Sequence, residues 1–101
     1  MPDYEFRTRS SEIDALFDAI LLLEDRNECY RFFEDVCTIA ELNAIAQRWE
    51  VAKLLDQGIT YQEIAKGHNA SSATISRVNR CLSYGAGGYR LMLERMRGMK
   101  E

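Results

Sequence analysis

The sequence is short of several things, and each shortage removes a class of protein. It has one proline and six glycines in 101 residues, well below collagen-like or proline-rich low-complexity content. Cys29, Cys37 and Cys81 are odd in number and never form a Cys-x-x-Cys, so neither a disulfide framework nor a zinc site is expected. Reduced thiols and a cytoplasmic setting are the default reading. His68 is the only histidine, which argues against histidine-based catalysis. The longest aliphatic run is Ala19-Ile20-Leu21-Leu22-Leu23, far short of the roughly 20 residues that span a bilayer. The beginning, Met1-Pro2-Asp3-Tyr4-Glu5, lacks the basic-then-apolar layout of a secretory signal. No segment alternates as a strand would. What remains is an ordinary mixture, 47% hydrophobic and 29% charged, long enough for one domain. Residues 1–10 read as an arm and 11–101 as a single domain.

Charge is unevenly placed. The net is −3, yet residues 1–46 carry four Arg and Lys against eleven Asp and Glu, while 47–101 carry nine against five. From Ile64 to Lys100 there are seven cations and one anion, Glu94. An acidic half and a basic half suggest that the second could face phosphate. Small domains also carry such imbalance without a nucleic-acid partner.

Four helix starts are legible. Ser11-x-x-Asp14, Asp25-x-x-Glu28, Thr38-x-x-Glu41 and Thr60-x-x-Glu63 each place an acceptor three residues before a carboxylate. That spacing satisfies orphan amides and puts negative charge at the positive end of the helix dipole. Apolar residues then recur at helical steps: Ile13, Leu16, Phe17, Ile20 and Leu23; Tyr30, Phe33, Val36 and Cys37; Leu42, Ile45, Trp49, Ala52 and Leu55. Gly58 offers a stop. A short helix is predicted from Tyr61 to about Lys66, another from about Ser71 to Leu82, and a last from Tyr89 to about Met99. The fold class is therefore all-α, with about six helices. The first helix is apolar all round from Ala19 to Leu23, and so small a chain has little interior to cover it. A homodimer built from residues 11–58 is favoured over a monomeric bundle.

The stretch 61–80 carries most of the functional information. It predicts two helices meeting across a tight turn. Ala65 is small where the helices should cross, and Ile64, Ala70, Ile75 and Val78 are apolar where contact should be buried. Gly67 and Asn69 can both take the left-handed conformation of a sharp turn. The face left over is Ser71, Ser72, Ala73, Ser76, Arg77 and Arg80, small, polar and cationic without an acid. This predicts a helix-turn-helix over 60–82 whose second helix enters the major groove of double-stranded DNA. Gln62 and Lys66 lie nearby on the first of the two helices. Small side chains let the backbone approach base edges, and arginines reach phosphate or guanine.

Thr74-Ile75-Ser76-Arg77, the capped helix before it, the Ala44-Ile45-Ala46-Gln47-Arg48 segment and the six-helix order resemble the Trp repressor family. Glu50-Val51-Ala52-Lys53-Leu54-Leu55 and Tyr84-Gly85-Ala86-Gly87-Gly88-Tyr89-Arg90 look closer still to its relatives of the YerC/YecD type. The resemblance runs from about residue 11 to 99. It implies an intertwined dimer of N-terminal helices that holds two DNA-reading heads one turn of DNA apart. It also implies an effector pocket in which two arginines sandwich an indole, and Arg48 and Arg77 match that pair. The family's glycine in the reading helix is Val78 here, whose branched side chain fills the space the ligand needs. DNA binding and dimerisation carry over on this reading, and tryptophan as co-repressor does not.

Other residues have ordinary explanations. Cys29 and Cys37 read as buried thiols on the second helix, Trp49 as part of the third helix's apolar face, and His68 as a turn residue. Ser71 and Ser72 have no base beside them, and the glycines near Tyr84 follow no strand and lack a P-loop lysine. No enzyme, cofactor or metal site is expected. A sequence-specific transcriptional regulator, most simply a repressor, is the leading reading. The alternatives are an architectural or recombination-associated DNA-binding protein, and a helical protein-interaction module without a DNA role.

Overall fold

The computed structural model describes residues 5–100, and within them every regular element is a helix. In chain order these are α1 (Ser11–Ile20), α2 (Arg26–Val36), α3 (Ile39–Asp56), α4 (Tyr61–His68), α5 (Ser72–Tyr84) and α6 (Gly88–Lys100). Residues 1–4 of the expected arm lie outside the described residues. Two compact units divide the chain between Ile39 and Ala40.

The first unit holds α1 and α2. Ser10, not Ser11, caps α1: its backbone is extended and its Oγ accepts from Ile13 N at 3.1 Å. Two adjacent serines compete for the cap, and the one whose hydroxyl faces the third amide wins. The helix ends at Ile20, not Leu23, because Leu22 and Leu23 donate to Ala19 O and Ile20 O in tight three-residue turns. Asp25 caps α2 as expected, Oδ1 accepting from Glu28 N at 2.8 Å, while Glu28 Oε1 accepts from Glu24 N at 2.9 Å. Neither helix contains a buried residue. Cys29 is exposed and Cys37 half-buried, so the expectation of buried thiols fails in the single chain. The cause is plain: this unit has no core of its own to bury them.

The second unit has one. Val51 and Ala52 of α3, Ile64 of α4, Ala70 of the following turn, Ile75, Val78 and Leu82 of α5 and Leu93 of α6 form a continuous buried cluster. Trp49, Leu54, Leu55, Ile59 and Tyr89 pack around it. The end of α3 shows how sequence sets the path. Gly58 takes φ +86°, which lets its amide reach Leu55 O at 3.0 Å and the Ile59 amide reach Leu54 O at 3.1 Å. That pairing satisfies the last carbonyls and turns Ile59 back to the core. Thr60 then opens α4 with a reciprocal box: Oγ1 accepts from Glu63 N, and Glu63 Oε1 accepts from Thr60 N, both at 3.2 Å. Thr60→Ala is expected to lower stability by about 1 kcal/mol. A urea midpoint unmoved by that change would remove the box from the folding account.

α6 is tied down at both ends. Arg90 Nε donates to Leu82 O at 2.8 Å, and Arg97 pairs with Asp56 at 2.6 Å. Trp49 and Tyr89 stack with centroids 6.4 Å apart. Gly85 is required where α5 stops, since a Cβ there would sit 2.5 Å from Cys81 O.

Candidate nucleic-acid interface

The geometry of residues 60–84 follows from its caps. α4 runs through Gly67 to His68, and Asn69 alone turns left-handed, at φ 55°. Of the two residues able to turn left-handed, Gly67 does not: the helix runs about two residues past its expected end at Lys66 and leaves the reversal to Asn69. Ala65 is also exposed, because Ile64 is the α4 residue turned into the core. Gln47 Nε2 of α3 makes a long hydrogen bond, 3.5 Å, to Asn69 O. Ala70 is buried, and Ser71 caps α5, its Oγ accepting from Thr74 N at 3.1 Å and donating to Thr74 Oγ1 at 3.0 Å.

With that start fixed, the helical repeat divides α5 into two faces. Ile75, Val78 and Leu82 are buried. Ser72, Ala73, Ser76, Arg77 and Arg80 are exposed, and Thr74 and Asn79 are half-buried between the faces. α5 contains no acidic residue. Gln62 and Lys66 are exposed on α4, which packs against α5. Ser71 is exposed too, but its hydroxyl is committed to the cap.

Arg48, from α3, and Arg77 line one small recess with Ala73 and Thr74, about 140 Å³ in volume. Val78 is 1% exposed and belongs to the core cluster; it does not line the recess. Among the described residues neither arginine has a carboxylate partner, whereas Lys53 and Arg97 pair with Glu50 and Asp56.

A second hollow, about 500 Å³ and largely apolar, lies among Ile45, Trp49, Cys81, Tyr89 and Met92. Burial pushes the Tyr89 hydroxyl above the ordinary tyrosine range, the nearby Cys81 thiol adds to the rise, and Arg48 opposes it. In the sequence Trp49 reads only as part of an apolar stripe. Its pairing with Tyr89 joins residues far apart in the chain, and no local pattern announces it. Among the described residues no cluster of His, Cys, Asp and Glu is arranged to hold a metal ion, and no helix is long and apolar enough to cross a membrane.

Comparison with known proteins agrees with this layout. The Trp repressor protein family matches residues 11–97. The chain is 52% identical over 91 residues to the uncharacterized protein YerC of Bacillus subtilis, covering 90% of this chain and 88% of that one. A candidate Trp repressor from Staphylococcus aureus superposes with a TM-score of 0.84 at 50% identity, over 88% of this chain and 89% of the other. A TrpR-like protein from Eubacterium eligens also gives 0.84, at 52% identity over 87% and 91%.

Proposed function

The chain belongs to the Trp repressor family, a family of DNA-binding regulators, and on that premise we propose that it is a sequence-specific transcriptional repressor reading the major groove as a homodimer. The observation that carries the proposal is the division of α5. A buried ridge of Ile75, Val78 and Leu82 holds the helix from behind, and the opposite face is small, hydroxyl-bearing, cationic and free of acid.

Ser72, Ala73 and Ser76 stand near the start of the helix, where a reading helix meets base edges. Their short side chains permit close approach, and the hydroxyls donate or accept as the base requires. Arg77 and Arg80 supply phosphate or guanine contacts, and Gln62 and Lys66 serve as α4 crosses the backbone. Ser71 acts through the cap that aims the helix. Helices within 11–58 form the dimer, residues 60–82 the helix-turn-helix, and 89–99 the supporting last helix. Two reading helices would then meet successive major grooves about 34 Å apart.

The test starts from duplexes selected from a random pool. Affinity should fall steeply with salt, because each neutralised phosphate releases condensed counterion. Ser72→Glu combined with Arg80→Ala should weaken binding by about 100-fold, since removing each DNA-facing group costs roughly 1–3 kcal/mol. Arg80→Ala alone should act evenly across sequences if it meets phosphate, or relax one base position if it meets guanine. Undiminished binding by the double variant would remove this face from the reading.

A further inference from the structure

The segment Tyr84-Gly85-Ala86-Gly87-Gly88-Tyr89-Arg90 joins the reading helix α5 to α6 and is built like a hinge. Three of its residues from 85 to 88 are glycine, so no side chain larger than a methyl stiffens the turn. The turn alone does little to set the angle between the two helices. Leu82 and Leu93 meet in the core, but apolar contact is non-directional and holds without aiming. Beyond Leu82, both Ser83 and Tyr84 are exposed.

One directed bond crosses the hinge. At the end of α5 the Gly85 amide donates to Cys81 O at 2.9 Å. The next carbonyl, Leu82 O, would take the Ala86 amide if the helix went on. Ala86 lies past the helix, and among the described residues its amide makes no such bond. Arg90 takes that role instead: its Nε donates to Leu82 O at 2.8 Å, partly buried, from eight residues along the chain. A cation there also suits the negative end of the α5 dipole. The far end of α6 is held in turn by the Arg97 pair with Asp56 of α3, so α6 braces α5 against α3. We propose that Arg90 is a positioning residue, which latches the end of α5 to α6 and thereby fixes the aim of the reading helix. The latch stands without DNA, and the aim rests on the DNA-reading proposal. With the latch open, α5 samples other orientations, and only the aligned fraction binds the specific site.

The donor atom makes the test sharp. The Nε2 amide of a glutamine lies as many bonds from the backbone as the arginine Nε. Arg90→Gln therefore keeps a donor for Leu82 O without the charge, whereas Arg90→Met keeps the length and loses both. Circular dichroism checks folding of the full chain. Arg90→Ala, which admits water to the carbonyl, replaces Arg90→Met if the latter unfolds. Arg90→Met should weaken binding to a selected duplex by about tenfold, the effect of losing one charge-assisted bond that holds the aligned state. Its affinity for random duplex and its salt slope should not move, because phosphate contacts set both. Arg90→Gln should stay within about threefold of wild type. Simple loss of folded protein lowers both affinities alike, so equal losses overturn the positioning role. A salt slope reduced by about 0.9 in both variants makes Arg90 a phosphate contact and overturns it too. Hydrogen exchange reads the latch without DNA. The Tyr84 and Gly85 amides should exchange about tenfold faster in Arg90→Met, but not in Arg90→Gln, with Val78 unchanged in both. Unchanged exchange at Tyr84 and Gly85 overturns the latch. Should the wild type prefer no duplex, the DNA reading fails, and exchange alone decides the latch.

Discussion

Leu21→Glu is expected to break the proposed dimer into single 11.6 kDa chains, or to unfold it. The reason is the state of the first unit. α1 and α2 contain no buried residue, although their sequence is patterned as if to enclose a core. Leu21 is 80% exposed and Leu22 78%, with Phe17, Tyr30 and Val36 also open to water. Large apolar side chains left open to water mark an interaction surface where they gather into a patch. In the proposed homodimer a second copy of the chain covers them. A carboxylate placed under that cover, without a partner, costs several kcal/mol. At about 1.4 kcal/mol per decade, the dissociation constant should rise by two decades or more. Sedimentation at micromolar concentration reads the result directly, and Leu21→Met, which keeps volume and polarity, should remain dimeric. A wild-type protein that sediments only at the single-chain mass would overturn the dimer, and with it the two-headed reading of DNA.

The readability of the sequence divides along the range of the interactions. Thr60 and Glu63 are three residues apart, and the box they form is visible in the sequence because both partners lie in one turn. The buried positions Ile64, Ala70, Ile75 and Val78 are legible for the same kind of reason: helical spacing and turn chemistry place them on one side. Ser10 and Ser11 show the limit of local reading. Both carry the right hydroxyl, and only the backbone conformation decides between them. The end of α1 is hidden because Leu21, Leu22 and Leu23 hold no stop signal, while the tight turns that end the helix are backbone events. Ala65 and Cys29 depend on which neighbour reaches them, which no single helix encodes. The recess is the clearest instance. Resemblance to a family pairs Arg48 with Arg77, but their unpaired charges and shared cavity with Thr74 become visible only when α3 and α5 are placed together.

L-Tryptophan is expected not to act as the co-repressor. Members of the Trp repressor family take tryptophan as effector, and the resemblance places a glycine of the reading helix where this chain has Val78. Here that side chain is 1% exposed within the cluster of Ile64, Ile75 and Leu82. The resemblance implies that a β-carbon and two methyl groups at this position take space an indole would need; in the structure Val78 packs in the core and does not itself line the recess of Arg48 and Arg77. Forcing a ring into such packing costs roughly 1–3 kcal/mol, which weakens binding by about 5- to 150-fold. Calorimetric titration should therefore show no binding in the tens of micromolar and no gain in DNA affinity on adding the amino acid. Binding in that range, with a matching rise in DNA affinity, would overturn the claim. Val78→Gly tests the cause. It removes a core side chain and introduces glycine within a helix, at a combined cost of about 2–4 kcal/mol, so folding must be checked first and Val78→Ala held in reserve. Tryptophan binding gained by the folded variant would identify Val78 as the block. If the folded variant gains none, Val78 is not the block, the pocket differs elsewhere, and Arg48 and Arg77 are better read as DNA or structural contacts.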